Sequence, residues 1–144
     1  MDMSDVPYVY QAELEVFGKS LDMPMLYDEV IYNPMAHYFI ACIHQERVGY
    51  IGCWITEPNA EILNLLVQAP YRKQGIGRAL INHVIALCQE KGVQALTLEV
   101  NQTDEPTIRF YENSGFKIIT TRKQYYATGE DALLMMLTIR GENS

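Results

Sequence analysis

The sequence predicts an α/β (α+β) fold, in which a mixed, mostly antiparallel sheet carries helices on both faces around a central β-α-β unit. An apolar run at 62–67 leads into a basic loop with two glycines at 72–77, and a long amphipathic segment follows. Further runs rich in strand-forming residues lie before and after this unit, separated by short turns. Strands arranged around one β-α-β unit predict a mixed sheet covered by helices.

Capping residues, turn residues and hydrophobic periodicity give the predicted boundaries along the chain. The predicted helices are 4–17, 24–31, 75–91 and 103–114. The predicted strands are 37–44, 47–56, 61–67, 94–100, 117–126 and 132–140.

Local signals account for the elements of the first half. Ser4 or Asp5 can cap the first helix, and an Asn-Pro pair at 33–34 follows the second helix. The first two strands read as a hairpin that turns at 45–46, and the next turn falls at 57–59. The third strand then enters the basic loop.

Capping and glycine signals account for the second half. The third helix has an apolar face at 3.6-residue spacing, and Gly92 stands where a C′ glycine would end it. Thr103 is predicted to cap the fourth helix. Gly115 is predicted to end that helix, with Phe116 folding back over it.

Length and charge limit the class of protein. At 144 residues the chain is long enough for one domain with a core, and we expect a single domain over 1–144. The formal net charge of −7 argues against a general nucleic-acid binder, which needs a basic face. An acidic balance suits a basic peptide or amine substrate, although it also serves solubility alone.

Cysteine usage and the N-terminus give expectations about location and metals. Three cysteines without a Cys-x-x-Cys pair indicate reduced thiols, not a disulfide framework or a zinc site, so no metal is expected. The first residues are acidic and lack an apolar signal region, and no run is long enough to span a membrane. We therefore expect a cytoplasmic protein that binds no membrane.

The loop at 72–77 has the features of a pyrophosphate site. It lies where a helix N-terminus presents unpaired backbone N–H groups and the positive end of its dipole. Gly75 and Gly77 would let a phosphate approach the backbone, and Arg72, Lys73 and Arg78 supply cationic donors. An ordinary strand-to-helix turn is the alternative for a Gly-x-Gly pair alone.

Two other phosphate motifs do not fit. The dinucleotide fingerprint requires a third glycine at position 80, which is Leu80. The tripeptide Gly18-Lys19-Ser20 matches the end of a Walker motif, but the upstream glycine falls on Glu13. We therefore expect a loop at 18–20.

The loop at 72–77 matches the acetyl-CoA-binding signature Arg/Gln-x-x-Gly-x-Gly/Ala of the GNAT acetyltransferases. Further segments resemble the ribosomal-protein-alanine N-acetyltransferase branch of that superfamily, over roughly residues 30 to 139. They are 33–39 (NPMAHYF), 97–100 (TLEV), 110–116 (FYENSGF), 122–126 (RKQYY) and 129–132 (GEDA). The resemblance implies the GNAT fold and acetyl transfer from acetyl-CoA to an amine, here the N-terminal alanine of a small-subunit ribosomal protein.

Two residues are candidates for the acid and base. Glu99 lies on the strand face opposite Leu98 and Val100, so it can point away from the core or be a simple exposed carboxylate. Tyr111 can donate from its phenol or anchor its helix as a half-buried aromatic. A terminal α-amine with a pKa of about 7.7–8 is roughly one-third neutral at pH 7.5, so a carboxylate base suffices. The resemblance implies that Glu99 accepts the proton and Tyr111 donates one.

The resemblance also implies a set of binding residues. Backbone groups of the third strand would bind the pantetheine arm where the strand splays or bulges, and the Val67 N–H would polarise the thioester carbonyl. Two tyrosines would line the acceptor groove, although strand positions favour tyrosine in any case. The implied cofactor residues are Leu65, Leu66, Val67, Arg72, Lys73, Gln74, Gly75, Ile76, Gly77, Arg78 and Asp104, and the implied acceptor residues are Tyr125 and Tyr126.

Three departures from the branch pattern bear on the coenzyme contacts and on the acceptor side. Asp104 stands where the branch has Asn, and Asn101 stands where it has Arg. The Pro-Trp-Ser element after the first helix is absent, with Gly18-Lys19-Ser20-Leu21 in its region. Two alternatives therefore remain: an acetyltransferase for another protein or a small amine such as a polyamine or amino sugar, and a non-catalytic CoA-binding module.

Overall fold

The computed structural model describes residues 3–17, 23–123 and 129–139. The helices are α1 (Val6–Phe17), α2 (Met23–Tyr32), α3 (Ile76–Glu90) and α4 (Glu105–Asn113). The strands are β1 (Ala36–Ile43), β2 (Glu46–Thr56), β3 (Asn59–Val67), β4 (Ala95–Asn101), β5 (Lys117–Arg122) and β6 (Ala132–Thr138). Short 3-10 segments, Met3–Asp5 and Ala69–Tyr71, precede α1 and follow β3.

The strands form one sheet in the order β1-β2-β3-β4-β6-β5. Strand β3 pairs with β4 in parallel, as the two strands of a β-α-β unit must. The pairs β1–β2, β4–β6 and β5–β6 are antiparallel. A mixed and mostly antiparallel sheet is what the sequence predicts, so the predicted fold class is confirmed.

Both helix-ending glycines are confirmed. Gly92 has φ +74°, and the N–H groups of Gly92 and Val93 donate to the carbonyls of Gln89 and Cys88. Gly115 has φ +101°, and its N–H and that of Phe116 donate to Glu112 and Tyr111 in the same pattern. Each end is therefore a Schellman motif, which needs a residue that tolerates the left-handed conformation.

Three predicted boundaries are wrong. The first hairpin turns at His44 and Gln45, with φ of 50° and 69°, one residue before the predicted turn. Two positive-φ residues give the twist that a two-residue hairpin needs. Helix α4 is capped by Asp104, whose side chain accepts from the Thr107 N–H, and not by Thr103. Strand β5 ends at Arg122.

Some predictions fall outside the described residues. They are the loop at 18–20, the departure from the family pattern at 18–21, and the two acceptor tyrosines, Tyr125 and Tyr126.

The described contacts divide the chain into two compact units, and the first comprises Met1–Trp54 with Asn64–Val84. Its core joins α1 and α2 to strand residues; the buried members are Val6, Val9, Ala12, Leu26, Tyr50 and Leu66. Tyr38 and Ile40 of β1 pack against this core. Phe39 has the opposite strand orientation and meets the His83 ring of α3 with centroids 4.4 Å apart. Helices thus cover both faces of β1.

The second unit comprises Ile55–Leu63 with Ile85–Ser144. Strand β4 crosses it and buries every second residue, namely Leu96, Leu98 and Val100. Glu99 lies on the other face of β4, as predicted, and is only partly exposed.

Candidate functional site

The basic loop connects β3 to α3 within the first unit. Gly75 has φ +83°, and no other atom lies within 4 Å of the place where its Cβ would be. Its carbonyl accepts from the Ala79 N–H at 3.0 Å, so the first helical bond of α3 begins at this glycine. The N–H groups of the first turn therefore have no helical partner and face an open surface, which suits an anion.

The cations of this loop are exposed. Arg72 Nε donates to the Val67 carbonyl at 2.8 Å and so ties the loop to the end of β3. In the part of the chain that the structure describes, Arg72, Lys73 and Arg78 form no ion pair with a carboxylate. Three exposed cations at a helix N-terminus are an arrangement that favours a phosphate ligand.

The end of β3 lies tightly against β2. A Cβ on Gly49 would stand 2.5 Å from the Leu66 carbonyl oxygen, so only glycine allows this approach. The Gln68 N–H donates to the Val48 carbonyl at 2.9 Å just beyond β3. Leu66 is buried, whereas Leu65 and Val67 are partly exposed. The predicted splay of this strand stays a prediction.

The Glu99 carboxyl group is mostly buried, with 17% of its side chain exposed. Its Oε1 lies 3.5 Å from Arg122 Nη1, while its Oε2 is buried and has no hydrogen-bond partner. Among the residues that the structure describes, Oε2 is the one buried side-chain oxygen or nitrogen without a partner. Because buried polar atoms are nearly always bonded, this oxygen requires an explanation.

Tyr111 lies on α4 and is buried, so the interpretation of a half-buried aromatic underestimates its burial. Its ring meets those of Phe110 and Phe116 at centroid distances of 5.2 and 5.4 Å, in edge-to-face contacts. Burial, and then the negative charge of Asp104, raise the pKa of the Tyr111 phenol above its usual value. The phenol therefore keeps its proton at neutral pH.

The residues around the start of α4 differ from the sequence prediction. Asp104 uses one oxygen to cap the helix through the Thr107 N–H at 3.3 Å. The Thr103 hydroxyl lies 2.8 Å from Asn101 Oδ1 and 2.9 Å from Glu130 Oε2. Asn101, which replaces the arginine of the family pattern, thus orders the turn after β4.

The predicted acceptor tyrosines lie between Lys123 and Gly129, outside the described residues. Lys123 Nζ pairs with Asp131 Oδ2 at 3.3 Å, so the two chain segments that flank them are linked by charge. Arg122 was not a sequence candidate, because its approach to Glu99 depends on the register of β4, β6 and β5.

Metal-binding clusters and membrane-spanning helices are absent from the described residues. Over residues 3–17, 23–123 and 129–139, no group of three or more His, Cys, Asp or Glu side chains could hold a metal ion. In the same ranges, no helix has the length and apolar character to cross a membrane.

Comparison with known proteins gives a consistent family. The Acetyltransferase (GNAT) family profile matches residues 6–116. A putative [ribosomal protein bS18]-alanine N-acetyltransferase of Bacillus subtilis is 35% identical over 140 residues, which cover 96% of this chain and 93% of that protein. The [ribosomal protein bS18]-alanine N-acetyltransferase of Escherichia coli K12 is 41% identical over 83 residues, which cover 56% of each chain.

A solved structure has the same fold as this chain. The crystal structure of the ribosomal-protein-S18-alanine N-acetyltransferase from Escherichia coli matches with a TM-score of 0.87 and 28% identity, over 100% of this chain and 95% of that one. The predictions of an acetyl-CoA-dependent N-acetyltransferase and of acetyl-CoA as co-substrate are confirmed. The chain belongs to the GNAT family of acetyltransferases.

Proposed function

We propose that this enzyme transfers the acetyl group of acetyl-CoA to the N-terminal alanine α-amine of ribosomal protein bS18. The relatives from Bacillus subtilis and Escherichia coli are named for that activity, and the former aligns with nearly the whole chain. The observation that carries the proposal is the buried Glu99 Oε2, which has no partner among the described residues. An acceptor amine or its bridging water supplies the missing hydrogen-bond donor.

The chemistry requires one base and one acid. The amine nitrogen attacks the thioester carbonyl carbon, the new C–N bond forms, and the C–S bond breaks. Glu99 takes the proton that the amine loses, directly or through one water. Tyr111 donates its phenol proton to the departing CoA thiolate, and solvent returns the proton from Glu99 to Tyr111. The phenol is protonated at neutral pH, as a proton donor must be before the thiolate forms.

The first unit is proposed to bind the donor. The N–H groups that open α3, together with Arg72, Lys73, Gln74 and Arg78, hold the pyrophosphate. Backbone groups of 65–67 hold the pantetheine arm, and the Val67 N–H polarises the thioester carbonyl. The bond from Arg72 to the Val67 carbonyl supports this assignment, because it fixes the end of β3 beside the loop.

The acceptor side is formed by residues of the C-terminal half in this proposal, and the sequence at 18–21 gives a second candidate acceptor. We propose that Tyr125 and Tyr126 line the peptide groove and that 1–144 act as one catalytic domain. Strand β3 contributes residues to both compact units, which supports one domain. Because 18–21 lack the Pro-Trp-Ser element, another protein or a small amine is the second candidate acceptor.

An acceptor comparison tests the proposal. CoA release is measured with acetyl-CoA and three acceptors: a bS18 N-terminal peptide with a free alanine amine, the same peptide acetylated at its N-terminus, and a panel of small amines. We expect turnover with the free peptide alone. Turnover confined to small amines would replace the acceptor and keep the mechanism. Acetyl-CoA binding without turnover on any acceptor would contradict catalysis and favour the binding module.

A further inference from the structure

The two oxygens of Glu99 have different surroundings: Oε1 lies 3.5 Å from Arg122 Nη1, and Oε2 is buried without a hydrogen-bond partner among the described residues. We propose that Arg122 is a positioning residue for acetyl transfer, because it holds Glu99 Oε1 and so turns Oε2 toward the acceptor amine. This inference rests on the proposed role of Glu99 as the base. The second unit contains both residues, so the argument depends on that unit alone.

Strand register brings the two side chains to one face. Strand β6 lies between β4 and β5; Glu99 stands opposite Leu134, and Arg122 stands opposite Ala132. Leu134 and Ala132 are two residues apart, so all four side chains share a face of the sheet. Ala132 is small, so the long Arg122 side chain can cross β6 above it and reach the Glu99 carboxyl group at 3.5 Å.

The ion pair between Arg122 and Glu99 involves one carboxylate oxygen, which leaves the other oxygen for the role of a base. A guanidinium can bind both oxygens of a carboxylate, which would occupy a lone pair on each. Here Arg122 Nη1 approaches Oε1, whereas Oε2 has no hydrogen-bond partner among the described residues. The Arg122 side chain is 52% exposed, so the cation approaches Glu99 from the solvent side and leaves the buried oxygen on the other side.

Orientation of the carboxyl group matters for the rate. A general base acts only within hydrogen-bond reach, about 2.6–3.2 Å, of the proton it removes. A misplacement of about 1 Å can cost on the order of 100-fold in rate. Without Arg122, the Glu99 carboxyl group loses the ion pair at Oε1, and Oε2 is expected to be held less firmly in the reactive direction.

The chain offers a matched control. Arg109 pairs with Glu105 at 3.6 Å in the same unit, and both side chains are about three-quarters exposed at 75% and 76%. An exposed ion pair of this kind contributes little to the stability of the fold. Arg109→Met therefore removes an Arg–Glu pair of nearly the same length without touching Glu99.

The test is a double-mutant cycle on kcat, with acetyl-CoA and the acceptor that wild type uses. We expect Arg122→Met to lower kcat by about tenfold or more with little change in the KM for acetyl-CoA, because orientation and not donor binding is lost. Arg122→Lys should keep part of the rate that Arg122→Met loses, and the control Arg109→Met should keep the wild-type kcat. In the Glu99→Gln background, Arg122→Met should add less than about twofold.

Two results would overturn the inference. One is an Arg122→Met enzyme with wild-type kcat; the other is the same fold-loss from Arg122→Met with and without Glu99. A Glu99→Gln enzyme with wild-type kcat would instead contradict the proposed function. Melting curves and the Kd for acetyl-CoA show whether each variant is folded. If Arg122→Met does not fold, Arg122→Gln replaces it and is judged by the same criteria.

Discussion

Glu13 and Glu99 both have mostly buried side chains, and they differ in how their oxygens are satisfied. Glu13 on α1 is 5% exposed, and its Oε2 accepts from the Tyr50 hydroxyl and from Asn64 Nδ2. Glu99 on β4 is less buried, yet its Oε2 accepts nothing among the described residues. Burial of a carboxyl group therefore does not by itself indicate a catalytic residue, and we propose that the unused oxygen of Glu99 does.

The two regions are expected to respond to mutation in opposite ways. Glu13 joins α1 to β2 and β3, so its loss should lower stability. Glu99 Oε2 forms no hydrogen bond with the described residues that would stabilise the fold. Substitution of Glu99 should therefore lower activity and not stability. The predictions below test this contrast in order of expected size.

Glu99→Gln should reduce kcat by about 100-fold or more, since general-base catalysis contributes roughly 10²–10⁴-fold. The amide keeps the size of the side chain but cannot accept the amine proton. The measurement is steady-state CoA release, with the acetyl-CoA Kd as the control for donor binding. A kcat within about twofold of wild type would remove Glu99 from the mechanism.

Glu13→Ala should lower the free energy of unfolding by about 2–4 kcal/mol, because it leaves the fully buried Tyr50 hydroxyl without its acceptor and removes buried packing. Urea unfolding at pH 7 measures this loss. A change below about 0.5 kcal/mol would show that the Glu13 network is not structural.

Tyr50→Phe should lower the free energy of unfolding by about 1–2 kcal/mol at pH 7 and by less at high pH. Burial, and then the hydrogen bond to Glu13, raise the pKa of Tyr50 above that of an unfolded tyrosine, near about 10. A raised folded-state pKa gives stability that is present below the unfolded pKa and lost as the pH rises above it. Unfolding curves from pH 7 to 11 should show the two proteins converging above about pH 10; a constant difference would contradict the assignment.

Asn64→Ala should lower the free energy of unfolding by about 0.5–1 kcal/mol, because Asn64 is exposed and donates one hydrogen bond to Glu13, at 3.1 Å. In the Glu13→Ala background the same change should add almost nothing, since its acceptor is gone. Additive losses in the double variant would show that Asn64 acts independently of Glu13.

The parts of the fold that depend on neighbouring residues could be predicted from the sequence. Gly92 and Gly115 end their helices as expected, since each occupies a positive-φ position next to its own helix. The cap of α4 was mistaken because Thr103 and Asp104 are both good caps, and the Thr103 hydroxyl bonds Asn101 and Glu130 instead. Local propensity alone does not decide between adjacent candidates.

The parts of the site that depend on strand register could not be predicted. The alternation of side chains between the two faces of β4 was enough to place Glu99 on the face opposite the buried residues. The Arg122 contact, however, requires β6 to lie between β4 and β5 with Ala132 at the crossing point. The acceptors and donors of the Glu13 network likewise come from three elements far apart in the chain.

The most direct test of the central claim compares Glu13 and Glu99 in one assay. Glu99→Gln and Glu13→Gln are measured for kcat on the acceptor that wild type uses, with melting curves recorded on the same samples. We predict that Glu99→Gln loses about 100-fold or more in kcat and keeps its melting temperature, while Glu13→Gln melts earlier and keeps a kcat near wild type. The reverse pattern, or equal loss of kcat in both variants, would contradict the claim that the unused oxygen identifies the base.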